Sequence, residues 1–173
     1  TIFQPSVIFG PEDRFLNTFA ALARVFPAIP IGGADVRFQP VWVGDVADAF
    51  VHALDNRATY RNSYELAGPR IYTLRELVRF AAAASGHPRP VIALPDGAAR
   101  LQARLMELAP GEPLMSRDNL DSMTVDSVAS RQPYEAAAEL GITPAAMEAE
   151  APGYLGGATV RSRLDAFRAR AHR

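Results

Sequence analysis

Cysteine and lysine are both absent from the sequence, and each absence excludes a kind of chemistry. Without cysteine, the chain forms no disulfides and offers no thiolate ligands to a metal. Without lysine, it has no side-chain amine for catalysis, since every basic residue other than histidine is an arginine. Lysine-dependent chemistry is therefore excluded from this chain.

Excess charge and long apolar runs are also lacking. The 19 acidic residues nearly balance the 18 basic ones, and 49% of the residues are hydrophobic. This balance argues against a nucleic-acid partner, which usually needs a basic face. No apolar run approaches the roughly 20 residues that span a bilayer. We therefore expect a neutral folded domain, and a length of 173 residues suits one domain.

Motifs that hold nucleotides or activate a nucleophile are missing from the sequence. It contains no G-x-S-x-G elbow, no G-x-x-x-x-G-K phosphate loop and no Gly-rich dinucleotide turn. Its three histidines, His52, His87 and His172, are scattered along the chain, whereas zinc needs three or four converging ligands. We therefore predict no catalytic residue and no metal site in this chain.

Strand and helix patterns alternate over the first 94 residues. Asp13 and Asp45 precede apolar helical repeats and are predicted to be the N-caps of two helices. Thr73 and Glu76 form the capping-box pattern that begins a third helix. The order β-α-β-α-β-α-β predicts a mixed α/β fold. The predicted strands cover residues 2–9, 36–43, 63–67 and 91–94.

From Pro95 onward the pattern predicts helices without strands. We therefore divide the chain into an α/β part over residues 1–94 and a helical extension over residues 95–173. Leu101, Leu105, Met106 and Leu108 form an apolar stripe beside two arginines, which is interpreted as a lid on its own domain, or as a contact with a membrane or a quinone-handling partner. The predicted helices cover residues 97–108, 117–123, 133–140, 144–155 and 161–170, with a hinge at 110–113.

Three blocks of the sequence resemble a known family. They read Q-P-S-V-I-F-G-P-E-D-R-F-L-N, Q-P-V-W-V-G-D-V-A-D-A-F and Y-E-L-A-G-P-R-I-Y-T-L-R-E-L-V. Together they resemble the second half of an extended or atypical short-chain dehydrogenase of the NAD-dependent epimerase/dehydratase type. The most similar branch contains the NADPH-binding accessory subunit of respiratory complex I and its bacterial relatives. The resemblance implies the C-terminal portion of a Rossmann-type α/β fold, with few strands, flanking helices and an all-helical tail.

The resemblance also implies two alternative functions. The first is an NAD(P)-dependent oxidoreductase, of which this chain forms the substrate-side half. The second is an NADPH-binding structural or assembly subunit of a respiratory or quinone-biosynthesis complex, without turnover. In both, the Gly-rich dinucleotide-binding half and a Tyr-x-x-x-Lys pair are expected upstream of this sequence. NAD or NADP is then expected in the longer parent, and no tight binding by this chain alone.

Cofactor contacts are implied for the first strand. In the family, the matching strand runs beside the nicotinamide, so Pro5, Ser6, Val7 and Ile8 are expected to bind the cofactor. The carboxyl end of a strand in a parallel sheet opens on the crevice where ligands bind. The alternative is a core strand in which Ser6 bonds to the backbone.

Substrate contacts are implied for Arg14, Phe15, Phe38, Gln39 and Trp42. Arg14 is expected either to reach an anionic substrate group or to pair with a neighbouring carboxylate. Sugar-nucleotide relatives resemble one another in an arginine–aspartate pair where this chain has Phe38 and Gln39, so a nucleotide sugar is not expected here. Phe38 and Trp42 favour an apolar ligand or simple core packing.

Location and association are the last expectations. The resemblance implies a cytoplasmic protein, or one that lies peripherally at the inner membrane. Its partners would be its own N-terminal Rossmann half and a respiratory or quinone-biosynthesis complex. A strand at residues 2–9 without that half would leave an open edge, which favours a homodimer.

Overall fold

The computed structural model describes residues 1–107, 125–132 and 134–156, and all the elements named below lie within them. The helices are α1 (Phe15–Val25), α2 (Val43–Leu54), α3 (Leu74–Ala84), α4 (Asp96–Glu107), α5 (Met147–Glu150) and α6 (Pro152–Leu155). The strands are β1 (Ile2–Pro5), β2 (Ile8–Phe9), β3 (Ile29–Ile31), β4 (Arg37–Phe38), β5 (Val41–Trp42), β6 (Ser63–Leu66), β7 (Tyr72–Thr73) and β8 (Val91–Ala93).

The first predicted strand is two strands that pair with different partners. β1 runs parallel to β6, and β2 runs parallel to β5. The change of partner falls after Pro5, whose nitrogen carries no hydrogen to continue the ladder. Ser6 N still donates to Leu66 O at 2.9 Å, while Val7 O accepts from Val41 N at 3.0 Å. The chain therefore passes from one neighbouring strand to the other at residues 6 and 7.

The second predicted strand is also divided. β4 pairs antiparallel with β7, whereas β5 pairs parallel with β2, and Gln39 and Pro40 lie between them. The sequence does not predict β3, because Pro27 and Pro30 are typical of the end of a helix rather than of a strand. β3 pairs parallel with β8, and Pro30 is exposed on a strand that has one partner among the described residues. Proline is tolerated there because an edge position needs no second N–H bond.

The predicted capping box is confirmed, and Asp13 supplies the predicted capping bonds although the N-cap position of α1 is Arg14. Asp13 Oδ1 accepts from Leu16 N at 2.6 Å and from Asn17 N at 3.3 Å, which satisfies the first turn of α1. Thr73 and Glu76 form the predicted capping box of α3. Asp45 is wrong as an N-cap, because α2 begins two residues earlier, at Val43.

The main core lies where α1 and α3 pack against each other and against β3 and β8. Small buried residues, including Ala20 and Ala23 of α1 and Ala81 of α3, allow the two helix backbones to approach closely. Leu155 of α6 is buried in the same cluster. The C-terminal part of the described chain thus completes a core that begins near the first strand.

The predicted helical tail is present at α4, α5 and α6, but the described residues between α4 and α5 are not helical as predicted. Residues 125–132 and 134–146, called the strap below, contain only a short 3-10 turn at Ala138–Leu140. Ser127 N donates to Arg37 O and Ser127 O accepts from Gln39 N, so pairing with β4 replaces helical bonding there. The helices expected at 117–123 and 161–170, and the hinge at 110–113, lie outside the described residues.

Among the described helices, none has both the length and the apolar character that crossing a membrane requires. The longest, α2 and α4, have 12 residues each. A spanning helix needs roughly 20 residues.

We predict that Gly68→Ala destabilises the fold and that Gly97→Ala does not. A Cβ at Gly68 would lie 2.0 Å from Pro40 O, so a backbone segment would have to move. Overpacking of this kind typically costs about 1–3 kcal/mol of unfolding free energy. At Gly97, on α4, no described atom lies within 4 Å of the added Cβ. Alanine should be favoured there by about 0.5–1 kcal/mol. Urea unfolding of both variants measures the difference, and equal stabilities would contradict it.

Candidate functional site

Two depressions lie at the carboxyl ends of the parallel strands. The first, called the strand-end groove, has a volume of about 230 Å³ and is lined by residues 4–6, 65–67 and 126–129. The second, called the apolar depression, has a volume of about 450 Å³ and is lined by residues 8–13 and Val43. Ligands of doubly wound α/β folds bind at this end of the strands. These depressions are therefore the candidate functional site.

Ser6 links the strand-end groove to the strap. Its Oγ donates to Ser127 O at 2.6 Å and lies 3.0 Å from Ser127 Oγ. Its backbone N–H is bonded to Leu66 O. Both polar groups of Ser6 that reach the groove therefore have partners within the chain. This matches the sequence-based alternative in which Ser6 bonds the backbone, and it adds a partner 121 positions away.

The other predicted cofactor-binding residues divide between the two depressions. Pro5 lines the strand-end groove. Ile8 is exposed and lines the apolar depression. Val7, half-buried between them, packs against the main core. The structure therefore brings the four residues to the strand ends, but on two sides of the break between β1 and β2.

Asp13 fixes the loop that forms the floor of the apolar depression. Its Oδ2 accepts from Gly10 N at 3.2 Å and from the Tyr154 hydroxyl at 2.9 Å, while its Oδ1 accepts from the first turn of α1. Burial and the adjacent Asp13 carboxylate raise the pKa of Tyr154 above its usual range. Tyr154 therefore remains protonated at neutral pH, and it joins α6 to this loop as a hydrogen-bond donor.

Gln39, a predicted substrate-side residue, is fully buried and joins three segments. Its Nε2 donates to Gly68 O at 2.8 Å. Its Oε1 accepts from Ala129 N at 3.0 Å and from Gln132 Nε2 at 2.8 Å. Because buried polar groups are costly when unpaired, this amide ties the β4–β5 junction to the Gly68 loop and the strap.

The predicted aromatic residues lie in the core rather than around an open pocket. The Phe15 ring lies 5.8 Å from Phe38 and 5.4 Å from Phe19, measured between centroids. Trp42 packs on Phe9 at 5.3 Å and stacks on Tyr154 at 6.5 Å. Phe38 is buried, and Phe15 and Trp42 are half-buried. Arg14 is exposed at the start of α1.

Charged residues join the first part of the strap, and α5 after it, to the α/β part. Arg37 forms an ion pair with Asp126 at 2.7 Å, and the Arg37 backbone N–H, followed by its guanidinium, lowers the pKa of Asp126. Glu65 Oε2 accepts from the backbone and the hydroxyl of Ser130. Glu148 of α5 accepts from Arg70 and from the Tyr72 hydroxyl. Each bond joins the α/β part to the C-terminal part.

Asp45 is buried on α2 and accepts from Ala145 N at 2.7 Å. Burial raises the pKa of this carboxyl, although the Ala145 N–H opposes the shift. The described residues contain no group of three or more metal-ligating side chains. The partners of Ser6, Gln39 and Asp45 in the strap were not predicted, because pairing with a distant segment leaves no local pattern in the sequence.

We predict that Gln39→Leu destabilises the protein far more than Gln4→Leu. The first change leaves Ala129 N–H and Gly68 O without their side-chain partner, at about 1–3 kcal/mol for each buried group. Gln4 is exposed on β1, so the same change there should stay within about 0.5 kcal/mol. Urea unfolding of both variants gives the comparison. Similar midpoints would show that the Gln39 amide does not hold the strap.

We predict opposite results for two changes at Asp45. An acid whose pKa is higher in the folded state binds protons preferentially when folded, so stability falls as pH rises from about 3.9 through the raised pKa. Asp45→Asn keeps an acceptor for Ala145 N–H and removes this charge. It should therefore match or exceed the natural chain in stability at neutral pH, and lose that advantage at about pH 4.

Asp45→Ala is the matched comparison, since it removes the acceptor together with the charge. It should cost about 1–3 kcal/mol at neutral pH, because the Ala145 N–H loses its partner. Thermal unfolding across the pH range measures both variants. Loss of stability in Asp45→Asn equal to that in Asp45→Ala would contradict this interpretation.

Comparison with known proteins relates this geometry to natural relatives. No family model matches the sequence. Subunit 9 of the NADH dehydrogenase [ubiquinone] 1 alpha subcomplex, a mitochondrial protein, is 31% identical in Rattus norvegicus, over 85% of this chain and 39% of the relative. The Arabidopsis thaliana subunit is 43% identical over 44% of this chain and 20% of its own length. The chain thus spans less than half the length of the relatives it matches.

Solved structures share the fold at lower identity. A nucleoside-diphosphate-sugar epimerase from Staphylococcus aureus has a TM-score of 0.56 and 14% identity, over 89% of this chain and 50% of that one. UDP-glucuronic acid 4-epimerase from Bacillus cereus, solved with UDP-glucuronic acid and NAD, has a TM-score of 0.52 and 15% identity, over 92% and 46%. The chain is therefore a homologue of subunit 9 of the mitochondrial NADH dehydrogenase alpha subcomplex, with part of the Rossmann-type fold of NAD-dependent epimerases.

Proposed function

We propose that this chain forms the C-terminal, substrate-side part of an NAD(P)-binding, short-chain-dehydrogenase-like protein that serves a respiratory complex as a structural subunit. The observation that carries the proposal is the position of the strap. At the carboxyl ends of β1 and β6, the Ser6 hydroxyl is bonded to Ser127 of the same chain. A hydroxyl engaged in this way holds the chain together rather than orienting a reacting group.

The division of the chain supports a role beside a separate nucleotide-binding half. We assign residues 1–94 to the α/β part and residues 95–173 to a C-terminal extension that returns over it as the strap, α5 and α6. The chain spans 39% of the rat relative, which leaves length for a Gly-rich half of the Rossmann type. In this proposal that half holds the phosphates, and Pro5, Ser6, Val7 and Ile8 face the nicotinamide end.

One surface fits contact with that half. β1 has a strand partner, β6, on one side only within the described residues. Ile2 on β1 is exposed, as are Phe50 and Leu54 on the outer side of α2. An open strand edge beside exposed apolar side chains favours further strand pairing. In the isolated chain, we expect a second copy to occupy the same surface and form a homodimer.

The second candidate function is NAD(P)-dependent oxidoreduction, and the apolar depression favours it. Its volume of about 450 Å³ falls within the range of small-molecule sites. Its lining of Ile8, Phe9 and Val43 would suit an uncharged, apolar group better than a nucleotide sugar. The exposed Arg14 lies one residue from Asp13, at the edge of this depression. Turnover would need the upstream Tyr-x-x-x-Lys pair that the family resemblance implies.

The names of the relatives suggest where the protein works. They are subunits of a mitochondrial NADH dehydrogenase, and we propose that this chain lies peripherally on such a complex, at the inner membrane surface. The carboxylates Glu12 and Asp13 and the basic Arg14 are grouped beside the depression at the start of α1.

Calorimetric titration with NADPH tests the proposal. We expect no sub-micromolar binding by the 173-residue chain, because it lacks a phosphate-binding turn. The complete protein encoded by the gene should bind NADPH tightly and leave its absorbance unchanged when a quinone is added. Tight binding by the chain alone would contradict the proposed division. Stoichiometric or catalytic loss of NADPH would favour the oxidoreductase.

A matched pair of variants in the complete protein tests the placement of the nicotinamide. Ile8→Asn changes an exposed residue in the apolar depression, whereas Ile92→Asn makes the same change on β8, also exposed. We expect Ile8→Asn to weaken NADPH binding by about tenfold, equivalent to about 1.4 kcal/mol. Ile92→Asn should leave it unchanged. Equal affinities in the two variants would remove Ile8 from the cofactor site.

A further inference from the structure

Tyr154 of α6 is bonded to one side of the apolar depression and stacked beside the other. One side is formed by β2 and the loop of residues 10–13 that follows it. The other side is Val43, which follows β5 and begins α2. Because β2 and β5 pair as neighbouring parallel strands, the two sides meet where these strands end. The shape of the depression therefore depends on what holds each strand end in place.

The Tyr154 hydroxyl acts on the loop of residues 10–13. It donates to Asp13 Oδ2 at 2.9 Å, and the same oxygen accepts from Gly10 N at 3.2 Å. The Asp13 backbone N–H also donates to Gly10 O at 3.1 Å, so two bonds close this loop. The carboxylate is held at its other oxygen by the first turn of α1. Tyr154 thus completes the set of donors that fixes the carboxylate on which the Gly10 bond depends.

The Tyr154 ring acts on the other side through Trp42. The two rings stack at 6.5 Å between centroids, with an angle of 27° between their planes. The indole packs directly on the first turn of α2, since a Cβ at Gly44 would lie 2.4 Å from Trp42 Nε1. The two sides also touch, because a Cβ at Gly10 would lie 2.7 Å from Val43 Cγ1. A shift of either side therefore changes the space between them.

We propose that Tyr154 is a positioning residue for the apolar depression, which it holds in the shape that admits an uncharged, apolar group of a ligand. Its hydroxyl fixes the loop of residues 10–13, and its ring fixes the start of α2 through Trp42. A site that already has its bound shape binds more tightly, because less conformational entropy is lost on binding. The inference rests on the proposed placement of an uncharged group in this depression, and it adds the residue that sets the shape of the site.

Heteronuclear NMR of the 173-residue chain, titrated with benzyl alcohol as a small uncharged aromatic probe, tests this role. The Gly10 amide reports on the loop, and the indole N–H of Trp42, the one tryptophan of the sequence, reports on the other side. In the natural chain we expect the Gly10 signal to shift saturably as the probe binds. If neither signal shifts, the depression admits no such group and the proposal is wrong. The NADPH titration of the complete protein tests the proposed function separately.

Tyr154→Phe removes the hydroxyl and keeps the ring on Trp42, so it should move the Gly10 signal and leave the indole signal in place. We expect the affinity for benzyl alcohol to fall on the order of fivefold, the net contribution of one hydrogen bond. The matched control is Tyr72→Phe, because the Tyr72 hydroxyl also donates to a carboxylate of the C-terminal part, Glu148, at 2.9 Å. Tyr72 lines neither depression, so its variant should lose similar stability and bind the probe with the natural affinity.

The outcomes separate positioning from a general loosening of the fold. Equal weakening of probe binding in Tyr154→Phe and Tyr72→Phe would overturn the proposal, and so would natural affinity in Tyr154→Phe. Tyr154→Leu removes the ring as well, so it should also move the indole signal and weaken binding further. If that variant does not fold, the comparison of the two phenylalanine variants still decides. Weaker probe binding in Tyr154→Phe, together with a complete protein that binds no NADPH, would refute the proposed function and support the role of Tyr154 for another uncharged ligand.

Discussion

The buried side-chain amide of Gln39 is the interaction on which the arrangement of this chain most depends. It lies between two strands of two residues each, which pair with different neighbours. By bonding Gly68 O, Ala129 N and Gln132 Nε2, it joins segments up to 93 positions apart. Such an amide tolerates few substitutions because each of its partners is costly to leave unpaired.

This constraint explains why the strand ends are closed by the chain itself. With Ala129 fixed by Gln39, Ser127 comes to lie over the carboxyl end of β1 and bonds Ser6. Near the end of the strap Ala145 donates to Asp45, and beyond the strap Tyr154 of α6 donates to Asp13. The strap thus forms one wall of the strand-end groove, beside the larger apolar depression lined by residues 8–13 and Val43.

The sequence predicted the parts of the fold that depend on local patterns. The capping box at Thr73 and Glu76, the bonds of Asp13 to the first turn of α1 and the mixed α/β fold class were all correct, because each is set within a few residues. The split of the first strand, the unpredicted β3 and the non-helical strap were not predicted. In the first two, pairing with a distant strand decides the structure, and the strap is held by single bonds to distant residues such as Ser6, Gln39 and Asp45. Asp45 precedes an apolar helical repeat, as a cap would, yet its partner is 100 positions away.

Native-state hydrogen exchange at the Ala129 amide tests most directly whether the strap is an integral part of the fold. Its N–H is bonded to the buried Gln39 side chain, so we predict exchange only through global unfolding, at the same opening free energy as the amides that pair β6 with β1. Exchange of Ala129 through a low-energy local opening, while β6 remains protected, would contradict the account. The strap would then be a loosely held cover, and the strand ends would be open to ligands.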